Sequence, residues 1–413
     1  VLYALNLARA AALVSRRRVL GSPRNGRWPA SVELFVEAIP PQKALAARWD
    51  AFVVPSIRLL TKLDFLGLAL ARVLHPSARL ESQSQSCPRP LIWVSFPKTG
   101  VGASEECHER LVVLYLHGGG HWAFTGKSHL EYVARVMKEM ARIVSPAAKA
   151  CVVDTRRAPE HPWPAPLEDG LACYEWLQAQ CGYSASQIAL AGDSAGGGLC
   201  LSLLLALRDA GKPLPRCCMV VSPVTNWARP EEEYPGPESL NDFLPALACV
   251  KSHAYYVQGR DSRHPLISPV YGELHALPPI LIQAGRGELL ERDAVEYSRR
   301  LEAYGGCVEL ELYPGMPHIF PMFALCGLED ARAAIRRQAA FLRGVMRGAE
   351  ALDEETCELP KPMGRRPRRA TLGRGPGPPG RRLPDRSPSC RGRLSMRSSS
   401  WPSVGVCMVG PVR

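Results

Sequence analysis

From Pro90 onwards, short apolar runs of strand length alternate with segments of helix length, and this alternation narrows the choice of fold more than any other feature of the chain. The runs are Leu91–Val94, Leu111–Leu116, Ala150–Val153, Ile188–Ala191, Met219–Val221, Ile280–Gln283 and Val308–Leu312. Helix-like stretches lie between them, among them Ala165–Gln180, Gly198–Ala210 and Glu291–Ala303, and another, Glu329–Arg347, follows the last run. Alternating β and α units predict an α/β fold with a mainly parallel central sheet covered by helices on both faces. In such sheets the reactive groups collect at the carboxyl ends of the strands.

The flanking regions have a different texture. Residues 1–89 are predicted to form a helical cap region. Within it, Ile57, Leu60, Leu63, Leu66, Leu70 and Val73 recur at three- and four-residue spacing, so 42–75 is expected to be helical. The polar, Pro-bearing stretch 76–90 resembles a linker. The first fourteen residues are mostly apolar but contain Arg9 and are followed by Arg16-Arg17-Arg18. They are too short to span a bilayer. The expectation is an amphipathic cap helix, with a truncated signal-anchor and hence membrane association as the alternative. The catalytic domain is placed at 90–348. Inside it the alternation stops at about 226–261, a stretch with four prolines and five aromatics, which is expected to form a lid insertion over the strand ends.

Charge sharpens the division. The formal net charge is +12 over 413 residues, yet the 13 basic residues and single acid of 361–413 account for all of it, leaving 38 bases against 38 acids in 1–360. A balanced body gives no electrostatic ground for a nucleic-acid partner. The Arg-, Pro-, Gly- and Ser-rich stretch 349–413 reads as a disordered tail, because it cannot bury enough apolar surface to offset its ordering entropy. The 14 cysteines are scattered, with no C-x-x-C pair, and Cys151, Cys173 and Cys200 sit in apolar runs as buried thiols would. This favours a reducing compartment and a cytoplasmic location.

Three motifs carry chemistry. Gly192-Asp193-Ser194-Ala195-Gly196 matches G-x-S-x-G between an apolar run and a helix-like stretch beginning near Gly197 or Gly198, the strand–turn–helix setting of a nucleophile elbow. His117-Gly118-Gly119-Gly120 directly follows the run ending at Leu116. Its bare backbone amides, together with that of Ala195, would bind the oxyanion of a tetrahedral intermediate, so Gly118, Gly119, Gly120 and Ala195 are the oxyanion candidates. His318 follows the last strand, where the general base of a Ser–acid–His order belongs. Two carboxylates could supply the acid: Glu288, in the turn after 279–284, is preferred, and Asp293 is expected to cap the next helix. His117 and His121 are four apart, but the glycines between them form a loop and no third ligand is nearby, so no metal site is expected. No dinucleotide fingerprint is present, and the chemistry needs no cofactor.

Together with Asp154-Thr155-Arg156-Arg157-Ala158-Pro159-Glu160-His161-Pro162 and Gly315-Met316-Pro317-His318, these motifs resemble those of the hormone-sensitive-lipase-like esterases, the alpha/beta-hydrolase-3 group that includes arylacetamide deacetylase-like enzymes. The likeness covers roughly 90–345. It implies the α/β-hydrolase fold, a small apolar ester as substrate, Ser194 and His318 as catalytic residues, and oxyanion amides from Gly119, Gly120 and Ala195. The chain departs from the pattern in places. Glu288-Leu289-Leu290 stands where the family has Asp-Pro-Leu, Thr155 and Arg157 replace Tyr and Leu, and Asn226 replaces an Asp. The same parts could cleave small amides. A non-catalytic ligand receptor on this fold is the rival of another class, and the presence of His318 argues against it.

Overall fold

The computed structural model describes residues 2–19, 25–38, 65–96, 110–235 and 241–347, all within the first of the chain's two compact units, Val1–Met363. Eight strands form one sheet: β1 (Arg79–Gln83), β2 (Leu91–Ser95), β3 (Val112–Leu116), β4 (Lys149–Val153), β5 (Ile188–Asp193), β6 (Cys217–Val221), β7 (Ile280–Arg286) and β8 (Val308–Pro314). Their spatial order is β1-β2-β4-β3-β5-β6-β7-β8. β1 and β2 pair antiparallel at one edge, as do β2 and β4, and every other pair is parallel. Every residue of β3, β5 and β6 is buried, which is why these strands are continuous apolar runs without in–out alternation.

Helices α1 (Leu2–Val19), α2 (Ala30–Ala38) and α3 (Phe65–Leu74) precede the sheet. α4 (Leu130–Ile143), α5 (Ala165–Ala179), α6 (Ser194–Asp209) and α8 (Glu291–Ala303) lie between parallel strands, α7 (Ala246–Val257) lies in the 226–261 segment, and α9 (Glu329–Met346) follows β8. Because side chains alternate across a strand, β3 serves two cores. Val113 and Tyr115 face Val133 and Met137 of α4 and Ile335 of α9. Val112, Leu114 and Leu116 belong to the other core, with Leu177 of α5, Leu203 of α6 and Tyr297 of α8. Cys151, Cys173 and Cys200 are buried free thiols, as their apolar settings suggest.

Two expectations need correction. Residues 79–83 are an edge strand rather than part of a linker. Arg79-Leu80-Glu81-Ser82-Gln83 has one apolar side chain, and it joins the sheet through backbone pairing with β2. α6 begins at Ser194 itself, three or four residues before the predicted start. The 42–64 part of the expected N-terminal helix and the tail 349–413 lie outside the described residues. No described helix is long and apolar enough to cross a membrane.

Candidate active site

β5 ends at Asp193 and α6 starts at Ser194, with no loop between them. Ser194 takes φ +52°, a left-handed conformation that costs a non-glycine residue energy and marks functional turns. The turn closes because its flanks have no side chains. A Cβ on Gly192 would lie 2.7 Å from the carbonyl oxygens of Gly196 and Leu116, and one on Gly196 would lie 2.2 Å from that of Leu116. The serine hydroxyl therefore stands at the carboxyl end of the sheet, at the positive end of α6.

His318 comes from the loop after β8. Its Nε2 is 3.0 Å from Ser194 Oγ, within the reach required of a general base. Its Nδ1 faces Glu288 Oε1 at 3.8 Å. These two buried atoms have no other hydrogen-bond partner among the described residues, so each is left with the other. The second carboxylate oxygen, Glu288 Oε2, accepts from the Gly285 amide at 2.9 Å and from Ser222 Oγ at 2.9 Å. Burial opposes charge on the His318 imidazole, but the Glu288 carboxylate, with Asp242 and Asp193 farther off, outweighs it and holds the ring above its ordinary value. Burial likewise pushes Glu288 above the usual carboxylate range, and His318 and the Gly285 amide only partly reverse it.

Asp293 belongs elsewhere. Its Oδ2 accepts from the backbone of Thr225 at 2.7 Å and Asn226 at 2.9 Å, and its Oδ1 pairs with the guanidinium of Arg229. The expected helix cap is thus replaced by a buried anchor that ties α8 to the chain leaving β6. It is the third residue of that helix, and its carboxylate turns away to segment 225–229.

The glycine run divides in the same way. The Gly118 amide donates to Asp193 Oδ1 at 3.0 Å, so its assignment as an oxyanion donor is corrected: the amide is already engaged. Gly119 and Gly120 have φ +109° and +61°, backbone that glycine adopts freely. No acceptor for their amides is found among the described residues. The Ala195 amide, in the first turn of α6, has no intrahelical acceptor. These three amides remain open to a developing anion.

Several residues that position this site carry no motif. Asp242 Oδ1 accepts from the His318 amide at 3.0 Å, and its Oδ2 accepts from the Leu289 amide at 2.7 Å, so one carboxylate ties the base loop to the acid loop. Ser222 does the same from just after β6, since its Oγ donates to Glu288 and accepts from the Ile319 amide at 3.0 Å. Beneath the elbow, Asp193 also accepts from Tyr115 Oη at 2.5 Å and lies 3.4 Å from His129 Nε2. Burial opposes ionisation of both, but their mutual attraction wins, lowering Asp193 and raising His129. Asn25 Nδ2 and Trp28 Nε1 donate to the Gly315 carbonyl at 2.6 and 2.8 Å, clamping the His318 loop from the N-terminal side. By contrast, burial holds His117 down at about 4 and His121 at about 3. His121 stacks on Tyr256 with ring centroids 4.0 Å apart, a packing role. Among the described residues, no group of His, Cys, Asp and Glu is arranged to hold a metal ion.

Comparison with known proteins points the same way. A family model described as the alpha/beta hydrolase fold matches residues 113–322. An acetyl-hydrolase of Streptomyces hygroscopicus is 36% identical over 233 residues, covering 56% of this chain and 75% of that protein. The carboxylesterase NlhH of Mycobacterium tuberculosis is 35% identical over 246 residues, covering 57% and 74%. Among solved structures, an esterase from the bacterial hormone-sensitive lipase family superposes with a TM-score of 0.57 at 29% identity, covering 83% of this chain and 98% of that one.

Proposed function

We propose, since the chain belongs to the alpha/beta hydrolase fold family, that it is a serine hydrolase of small carboxylic esters working through Ser194, His318 and Glu288. The observation that carries this reading is the 3.0 Å approach of His318 Nε2 to the hydroxyl of a serine held at φ +52°, beside three open amides. Ser194 Oγ attacks the ester carbonyl carbon as its proton passes to His318 Nε2. The carbonyl oxygen becomes an oxyanion held by the amides of Gly119, Gly120 and Ala195. The tetrahedral intermediate collapses, the C–O bond to the alcohol breaks, and His318 returns the proton to the leaving oxygen. Water then attacks the acyl-serine by the same route and releases the acid. Glu288 orients the imidazole and stabilises its charged form.

The surroundings of His318 favour an apolar alcohol portion. Phe243 lies with its ring centroid 6.0 Å from that of His318, and Phe35 and Phe323 lie 5.3 and 5.8 Å from Phe243. The leaving oxygen must come to His318, so its substituent meets this aromatic wall. The described parts of the 226–261 segment, including α7, would serve as the lid over the strand ends. The test is turnover of p-nitrophenyl esters of graded acyl length beside the matching p-nitroanilides. Ester cleavage with weak anilide cleavage is expected, and preferential anilide cleavage would assign the site to amides instead.

A further inference from the structure

The loop that carries the proposed oxyanion amides has an unusual backbone. Gly119, Gly120 and His121 are consecutive residues with φ +109°, +61° and +63°, and Phe124 follows at +62°. Glycine takes such angles freely, but His121 and Phe124 do not, so the loop keeps this shape only while its surroundings over-determine it. Asp193 holds one end, at the Gly118 amide. The rest of the loop meets α7. Ala248, Ser252, Tyr255 and Tyr256 recur at i, i+4, i+7 and i+8, so one face of that helix carries all four. Ser252 is buried, and its Oγ accepts from Trp122 Nε1 at 2.9 Å. The Tyr256 ring stacks on His121 with centroids 4.0 Å apart, and Tyr255 meets Trp122 edge-on at 5.7 Å. Ser252 also abuts one of the donor glycines, since a Cβ on Gly120 would lie 2.2 Å from Ser252 Oγ.

We infer that Ser252 is a positioning residue for the oxyanion amides: through Trp122 and Gly120, α7 holds the Gly119 and Gly120 N–H groups on the point where negative charge develops. What those amides do rests on the esterase reading above; where they are held does not. Trp122 lies two residues after Gly120, and its backbone amide, with that of Ala123, donates to the Gly119 carbonyl at 3.1 and 2.9 Å. An indole fixed by Ser252 therefore fixes the turn that sets the Gly119 and Gly120 peptide planes. Without the Ser252 oxygen, a buried donor loses an acceptor and Gly120 loses the atom it rests on, so the loop is free to relax out of its left-handed angles. Amides displaced in this way fail the oxyanion more than the bound ester, and the loss falls on kcat rather than KM. His318 and Glu288 are hydrogen-bonded elsewhere, to Ser194, Asp242, Ser222 and Gly285, so the general base should keep its titration.

Full-length wild type, Ser252→Ala, Trp122→Phe and the double variant are compared in two ways. One is steady-state kinetics on p-nitrophenyl butyrate across pH; the other is hydrogen exchange followed in peptides covering 117–124 and 315–320. Each single variant should lose about tenfold or more in kcat, on a scale where deleting one oxyanion donor costs about 10²–10³. KM should stay within about twofold, and the acid limb of the pH profile should not move. The double variant should lose no more than about threefold beyond the worse single, because both changes remove one contact. Exchange should speed up about tenfold in 117–124, whose Trp122 and Ala123 amides report on the turn, and stay unchanged in 315–320. Trp122→Phe keeps an aromatic ring and carries the test if Ser252→Ala fails to fold. Exchange needs no turnover: a wild type that cleaves no ester would sink the esterase reading alone, and the exchange pattern would still decide the positioning role. Unchanged kcat in a protein that turns over, a rise in KM alone, losses that multiply in the double variant, or exchange that speeds up equally in both peptides would each overturn the proposal.

Discussion

The two halves of the proposed catalytic centre are held by different physics. On the nucleophile side, Gly192 and Gly196 pack against backbone carbonyls at distances no Cβ could tolerate, and Asp193 locks the glycine loop through the Gly118 amide. Sterics leave that side no slack. On the acid–base side, Glu288 and His318 face each other at 3.8 Å, and the loops that carry them are joined by Asp242 and Ser222. That side is fixed by directional hydrogen bonds and can still tighten by about an ångström when the imidazole gains charge, as catalytic hydrogen bonds commonly do when substrate arrives. Substitutions should therefore disturb the acid–base side in graded steps, while steric changes on the nucleophile side act as all-or-none.

The largest graded effect is expected at Glu288. An acid that orients the base is worth on the order of 10⁴ in kcat in the best-studied serine triad, so Glu288→Gln should lose at least about a hundredfold. The sign of its pH effect follows from the site. Glu288 helps hold His318 above its ordinary value, and only the neutral ring accepts the serine proton. Activity should rise with pH through the His318 titration, and removing the carboxylate should move that acid limb to lower pH. A kcat/KM profile of the two proteins checks both expectations. A loss below tenfold with an unmoved limb would place the acid elsewhere.

Asp242 comes next. Asp242→Ala frees the backbone of His318 and Leu289 together and should cost about ten- to a hundredfold in kcat. Asp242→Asn should recover part of that loss, because Oδ1 can still accept while the opposite atom becomes a donor facing the Leu289 amide. Steady-state kinetics of the pair separates positioning from mere support of the fold. Asp293→Asn should show the reverse profile, with less than about tenfold lost in kcat. Its buried pair with Arg229 is broken, however, and stability should fall by up to about 3 kcal/mol, measured by urea unfolding. The smallest effect is expected outside both halves: deleting 361–413 should leave kcat/KM within about threefold.

What the sequence made legible follows the same physical line. Strands buried on both faces, such as β3, β5 and β6, write continuous apolar runs, and β8 writes an alternation of apolar residues with Glu309 and Glu311, so seven strands could be read directly, whereas the edge strand Arg79–Gln83 pairs through its backbone and leaves no such trace. Ser194 and His318 were legible because their chemistry demands fixed local neighbours, and Glu288 because it follows its strand at once. Asp242 was not, since its contacts reach residues 76 and 47 positions away and no local pattern encodes them. A run of glycines likewise cannot say which amide is engaged from within. Only the tertiary approach of Asp193 separates Gly118 from Gly119 and Gly120.

The central claim is that ester turnover passes through Ser194. Wild-type protein and Ser194→Ala should be treated with a fluorophosphonate probe, assayed on p-nitrophenyl butyrate, and digested for peptide mass mapping. The account predicts a single adduct, on the peptide bearing Ser194, loss of turnover in step with its formation, and neither adduct nor turnover in a folded Ser194→Ala protein. Retained turnover in that variant, or an adduct on another residue that tracks inactivation, would contradict it.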